Sequence, residues 1–254
     1  MMLGGVPAAN SADLELDTYP DTPVSGDRWT GVYLGLHGTK MYSEGNVELD
    51  KYSGFLIPLD VQNGLFAKDE GELRGTLGGG LTLGYNQQFG QFVLGVEGDI
   101  TLARLGVKHY RARIDPNPMR PFFGQNVLSN YSTQFENLAT LRVRAGWSLE
   151  NTLLYLTGGL AASTVKNEFG IAIPGLGYSS PEWSESGLAW GYVVGAGVEH
   201  KLTRNISLKA EALFVDLEDR VVKGRDPVSF PGEFISYEFD NTLAIGRVGL
   251  NYAF

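Results

Sequence analysis

From Trp29 onward the chain alternates apolar and polar positions with a period of two. Residues 91–102 set Phe92, Leu94, Val96, Ile100 and Leu102 on one side and Val93, Gly95, Glu97, Asp99 and Thr101 on the other. Residues 138–148 oppose Ala139, Leu141, Val143, Ala145 and Trp147 to Thr140, Arg142, Arg144, Gly146 and Ser148. Residues 206–214 oppose Ile206, Leu208, Ala210, Ala212 and Phe214 to Ser207, Lys209 and Glu211. Successive side chains of a strand point to opposite faces, so this alternation predicts strands and not helices. The same pattern gives eight segments, at 29–42, 75–89, 91–104, 137–149, 152–165, 187–201, 205–218 and 240–254.

These segments are longer than the roughly 5–6 residues of an ordinary strand, and a strand tilted across a bilayer needs about 9–11 residues in the hydrocarbon. Their connections also alternate. Phe89-Gly90-Gln91, Glu150-Asn151 and Thr203-Arg204-Asn205 are short turns built on residues that accept tight hairpin geometry. The connections at 43–74, 105–136, 166–186 and 219–239 are long. The pattern predicts an all-β fold: an eight-stranded antiparallel up-and-down transmembrane β-barrel. Four short turns or termini then lie on the periplasmic side and four long loops on the extracellular side.

Composition now acquires a meaning. Glycine supplies 34 of 254 residues, nearly twice the usual ~7%. Many of these glycines fall inside strands, where they let a narrow barrel coil tightly and leave room for long side chains opposite. A mean hydropathy of −0.09 results when half of each strand faces lipid and half a polar lumen. Aromatics at Trp29, Phe89, Phe92, Trp147, Tyr155, Phe214, Tyr252 and Phe254 lie near strand ends or on the outward face, where interfacial girdles belong. The chain has no cysteine, which excludes a disulfide scaffold and a Cys-based zinc site. Its net charge of −9 argues against nucleic acid as a partner.

The polar faces decide which side is inside. They carry Glu97, Asp99, Arg142, Arg144, Glu199, Lys201, Lys209, Glu211 and Arg247, four acids against five bases in a chain that is acidic overall. Near-balance on one face predicts mutual pairing in a confined lumen, because buried charges are tolerated only with partners. Expected pairs are Glu97 or Asp99 with Arg142 or Arg144, Glu199 with Lys209, Glu211 with Lys201, and Arg247 across the lumen. The excess negative charge is assigned to the tail and loops. The opposite arrangement, a soluble lipocalin-like binder with its apolar face inward, would put these charges in water.

Residues 1–28 read as a signal remnant with a small-residue cleavage region at Asn10-Ser11-Ala12-Asp13, followed by a flexible acidic arm. The barrel domain occupies 29–254. At the other end Val248, Leu250, Tyr252 and Phe254 alternate to a terminal aromatic. That strand is expected to be an assembly signal, read by the barrel-assembly machinery through β-augmentation.

Several stretches resemble a known family. They include Trp29-Thr30-Gly31-Val32-Tyr33-Leu34-Gly35, Gly78-Gly79-Gly80-Leu81-Thr82-Leu83-Gly84, Phe92-Val93-Leu94-Gly95-Val96-Glu97-Gly98-Asp99, Gly195-Ala196-Gly197-Val198-Glu199 and Val248-Gly249-Leu250-Asn251-Tyr252-Ala253-Phe254. In these the chain resembles the small outer-membrane surface proteins with an OmpA-like or opacity-protein-like barrel, of the α-proteobacterial type. The resemblance implies the outer membrane of a Gram-negative bacterium, an eight-stranded barrel and exposure at the cell surface. It does not imply one activity.

No catalytic pattern emerges from the sequence. His37, His109 and His200 stand outside any HExxH or His–carboxylate spacing, and Ser163 and Ser186 have no adjacent histidine. The expectation is a non-enzymatic barrel without cofactor or metal. It has a structural and surface-interaction role and a lumen plugged by its charges; a low-conductance pore is the other reading. Lys108, Arg111, Arg113 and Arg120 make the second long connection basic, which fits lipopolysaccharide phosphates. Phe55, Leu56, Ile57 and Leu59 make the first unusually apolar, suggesting an extra hairpin or a contact surface for a partner protein or a second barrel.

Overall fold

The computed structural model describes residues 28–254, apart from positions 55, 56, 63, 65, 67–72, 116, 117, 119–122 and 230. The expected N-terminal arm and Arg120 lie outside the described residues. The elements are β1 (Gly31–Ser43), β2 (Val47–Ser53), a short helix α1 (Ile57–Gln62), β3 (Arg74–Phe89), β4 (Phe92–Ile114) and β5 (Asn126–Leu149). They continue with β6 (Thr152–Ile173), β7 (Tyr178–Ser179), β8 (Trp183–Lys201), β9 (Ile206–Gly224) and β10 (Phe234–Ala253). Eight of these strands form an antiparallel ring in the order β1-β3-β4-β5-β6-β8-β9-β10, closed by pairing of β10 with β1 from Tyr33↔Ala253 to Tyr42↔Ala244. Strand β2 prolongs the line of β1 along β10, and β7 adds two residues beside β6. Among the described residues the first long connection makes no separate hairpin: β2 continues the wall along β10, while Phe55 and Leu56 lie outside the described residues.

In the half nearer the short turns, the sequence pattern maps onto two faces. Leu141 and Val143 are each 64% exposed, while Arg142 and Arg144 between and beside them are 1–2% exposed. Phe92, Leu94, Val96 and Ile100 face outward on β4, as do Leu208 and Phe214 on β9. The turns follow local chemistry, with Gly90 at φ +64°; at the β5–β6 turn Glu150, and not Asn151, takes the positive φ.

The far half departs from expectation. Most of residues 105–136, 166–186 and 219–239, read as long loops, is strand, and only 115–125, 174–182 and 225–233 cap the hairpins. The reason is a change of face. On β4 the apolar set moves from outward Ile100 and Leu102 to inward Leu105 and Val107, while Arg104 and Lys108 turn outward. On β5 the extra residue Asn137, at φ +50°, shifts the phase. Below it the even positions point inward, and above it Val127, Tyr131, Thr133 and Phe135 do. A bulge of this kind inserts one residue and re-aims every side chain beyond it, and asparagine tolerates the left-handed conformation it needs. A second shift lies between β9 and β10, around Asp240.

The ring also opens above these bulges. The β3–β4 ladder stops at Gly79↔Leu102 and the β8–β9 ladder at Gly191↔Leu217. Beyond them β4, β5, β6 and β8 form one sheet and β9, β10 and β2 a second, packed face to face. Tyr131 and Phe169 meet Tyr237 with ring centroids 5.1 Å apart in both cases. Val47, Val127, Val222 and Ile235 complete that core. The protein thus has an apolar exterior in one half and an apolar interior in the other.

Candidate functional site in the barrel lumen

Three layers fill the interior from the short-turn end outward. Trp29 closes that end, packed on Val93, Leu153 and Tyr155. Its indole N–H donates to Ser148 Oγ at 3.0 Å and its backbone N–H to Gln88 Oε1 at 3.0 Å. Two aromatics expected at the interfacial girdle are therefore inside. Trp29 follows its hydrogen bonds into the mouth, and Tyr155 stands on the inward phase of β6.

Above this layer lie the charges. Arg142 is the hub: it pairs with Glu97, with Asp99 at 3.0 Å and with Glu211 at 3.1 Å. Arg144 reaches Glu199 at 2.8 Å and Glu97 at 3.5 Å. Lys209 crosses to Glu97 at 3.0 Å and approaches Glu211 at 3.4 Å. Arg247 meets Asp99 at 2.9 Å. Carboxylates crowded in this way are tolerated in a buried site because each oxygen faces a cation or a donor. Neutral donors complete the set: Tyr33 to Glu97 (2.7 Å), Tyr155 to Glu211 (2.9 Å), Ser207 and Asn251 to Glu199 (2.5 and 2.8 Å), and Thr140 to Asp99 (2.5 Å).

Two of the expected pairs do not form. Glu199 and Lys209 are cross-strand neighbours, yet Lys209 points across the lumen and Glu199 takes Arg144 instead. Lys201 stands opposite Ser207, four residues along the chain from Gly197, the register partner of Glu211, and so cannot reach it. Its ammonium instead donates to the Arg204 carbonyl at 3.1 Å and sits 5.1 Å from the Trp29 ring. Without Lys201, the layer holds four carboxylates (Glu97, Asp99, Glu199, Glu211) and four cations (Arg142, Arg144, Lys209, Arg247), so its formal charge is zero.

Glycines give the long side chains their room. Tyr155 lies flat against Gly197, where a Cβ would come within 2.4 Å of its Cζ, and its ring stacks 4.0 Å under the Arg144 guanidinium. Gly197→Ala should therefore displace Tyr155 from both Arg144 and Glu211. A loss of about 1–3 kcal/mol is expected, the usual cost of overpacking, read from urea unfolding in detergent micelles.

Over the charges lies the apolar layer that sequence reasoning missed: Met41, Leu105, Phe135, Leu138, Val193 and Leu243 with their neighbours. Carrying the alternation past residue 104 with a change of face would have found it. His37 sits between the two layers, its ring nitrogens 3.1 Å from Thr82 Oγ1 and 3.0 Å from Thr101 Oγ1. On the outer side of the wall, an acidic recess of about 260 Å³ opens between Asn46, Glu48, Asp219, Glu238 and Asp240.

The basic residues expected on one loop are split. Lys108 faces outward on β4, while Arg111 and Arg113 stand on its inward phase and are half-buried. The strand formed there alternates these three to opposite faces. Val248, Leu250, Tyr252 and Phe254 all face outward, and the last two rings pack edge to face at 5.2 Å.

A closed antiparallel ring with an apolar outer belt and a charge-neutral interior defines an integral membrane β-barrel. The chain belongs to the family described as outer membrane protein beta-barrel domain, whose model matches residues 2–254. It is similar to the 31 kDa outer-membrane immunogenic protein of Brucella melitensis biotype 1, 29% identical over 252 residues that cover 91% of this chain and 86% of that one. It is also similar to the 22 kDa outer membrane protein of Rhizobium leguminosarum bv. viciae, 29% identical over 194 residues, 76% of this chain and 66% of that one. Among solved structures, the outer membrane protein OprG of Pseudomonas aeruginosa aligns with a TM-score of 0.47 at 13% identity, over 89% of this chain and 96% of that one. The protein is an outer-membrane β-barrel of a Gram-negative bacterium.

Proposed function

We propose that this barrel is a non-conducting, non-catalytic envelope protein. It stabilises the outer membrane and displays its far half at the surface, with the short-turn end toward the periplasm. One observation carries the reading: a self-neutralised layer of eight charged side chains lies beneath an apolar layer, so an ion entering the lumen would have to break buried pairs and then cross an apolar plug. The histidines support the absence of catalysis, since His37 is held by two threonines, His109 by the Gly45 carbonyl and His200 by Thr152. Membrane lipid covers the belt. Lipopolysaccharide meets the outward cations just beyond it, such as Lys108. The assembly machinery reads the outward face of Val248, Leu250, Tyr252 and Phe254. In planar bilayers the purified protein should give no channel steps at any voltage that the membrane survives. Reproducible single-channel steps would establish the pore reading instead.

A further inference from the structure

The ladders of the ring place one cation at the upper edge of the lipid-facing belt. Lys40 faces outward on β1, one step beyond the row Gly38↔Gly79↔Leu102, and Leu102 is the last outward apolar residue of β4 before Arg104. The Lys40 ammonium lies 5.2 Å from the centroid of the Tyr42 ring, and among the described residues no carboxylate pairs with it. Glu44 follows four residues further out, and on β9 Asp216 stands four residues beyond Ala212, on the Lys40 row. A lysine on the lipid side of a belt is held there by reaching to the interface, where anions can meet it.

From Lys40 one register row runs round the ring through Gly246, Ala212, Ala196, Leu156, Ala145 and Leu94, all facing outward. It starts at the outer edge of the belt and ends two residues from the short-turn end of β4, so the tilt of the strands carries it down through the hydrocarbon. At Gly246 a Cβ would meet nothing within 4 Å. Over Ala212 and Ala196 a groove of about 590 Å³ opens, bounded by Phe214 and Val194 on one side and by Leu156 at its lower end. Val248 and Val198, in the next row toward the short turns, form the other bank. At about 4.8 Å per strand, the path from Lys40 to Ala196 is about 14 Å long.

We propose that this groove is a lipid A site: one acyl chain lies over Gly246, Ala212 and Ala196, and the Lys40 ammonium binds a phosphate of the same molecule. The groove and the charge suit one amphipathic ligand because they share a row, with the charge at the end nearer the surface and the apolar groove within the hydrocarbon. A neutral apolar partner would fill the groove and leave the ammonium unpaired. The choice of lipid A over a phospholipid rests on the orientation given under the proposed function, which puts Lys40 in the leaflet that lipopolysaccharide occupies.

The test uses the whole barrel in detergent micelles and native mass spectrometry to count retained lipid. Lipid A, its dephosphorylated form and phosphatidylglycerol are the probes. One lipid A should stay on the barrel, and neither other lipid should displace it. Lys40→Gln should lower its retention about fivefold, the worth of one lysine to an anionic lipid. Ala212→Leu, which fills the groove, should abolish retention while leaving the heat-dependent gel shift of the folded barrel unchanged. Lys108→Gln, a cation off the row, should change nothing. Retention by Ala212→Leu equal to the parent's would overturn the site. So would equal retention of phosphatidylglycerol, or a dimer that Ala212→Leu dissolves, which would assign the face to a second copy. Orientation is read separately. Val228 is 90% exposed at the far end and the chain has no cysteine, so Val228→Cys should take an impermeant maleimide on intact cells. Labelling without lipid A retention would overturn the site alone, and absence of labelling would overturn the orientation.

Discussion

Arg142→Ala should cost the folded barrel about 3–5 kcal/mol, the loss expected when one partner of a buried ion pair is removed and the other stays behind. The size follows from the geometry. Arg142 is fully buried and joins three carboxylates, Glu97, Asp99 and Glu211. Without it the layer holds four acids against three cations in a site closed below by Trp29 and above by apolar side chains. Arg142→Lys should recover only part of the loss, because one ammonium cannot reproduce a planar fork aimed at three partners. Lys201→Ala supplies the contrast. That lysine lies at the mouth, outside the network, and its removal should cost less than about 1 kcal/mol. Urea unfolding followed by tryptophan fluorescence in micelles measures both. Equal costs at the two positions would show that the charges are not a coupled layer.

Much of this was legible in the sequence, and the exceptions share a cause. The outward and inward faces of 91–102, 138–148 and 206–214 follow directly from alternation, because below the bulges one phase holds and lipid outside makes the contrast sharp. Alternation fails as a guide at Asn137, where one extra residue changes the inward set from even to odd positions. It also fails between Leu102 and Leu105, where the phase is kept but the apolar residues change sides. A single-phase reading sees these places as strand ends, and so it made loops of segments that form the far sheets. The charge layer was legible by residue type but not by partner. A long side chain such as Lys209 crosses the lumen to Glu97, and cross-strand neighbours are not its only choices. The donors from Tyr33 and Asn251 were missed although the same alternation, carried through β1 and β10, puts both on the inward face.

An arginine moved along the outward face of β5 should report where lipid ends. Leu141 and Ser132 both face outward, on opposite sides of Asn137. Leu141 sits in the apolar belt, and Leu141→Arg should cost about 2–4 kcal/mol, the price of a cation near the bilayer midplane. Ser132 stands between Lys108 and Glu168 in register, on a face already polar, so Ser132→Arg should change stability by no more than about 0.5 kcal/mol. Folding titrations in phospholipid vesicles would measure the difference, and the same pair in detergent should give a smaller one, since micelles adapt their thickness. Strand, face and introduced residue are the same at the two sites, so the difference reads chiefly height along the barrel. Similar costs at the two sites would mean that the belt does not end near the bulges. The far half could then not be the water-exposed, inwardly apolar structure on which the plugged lumen depends.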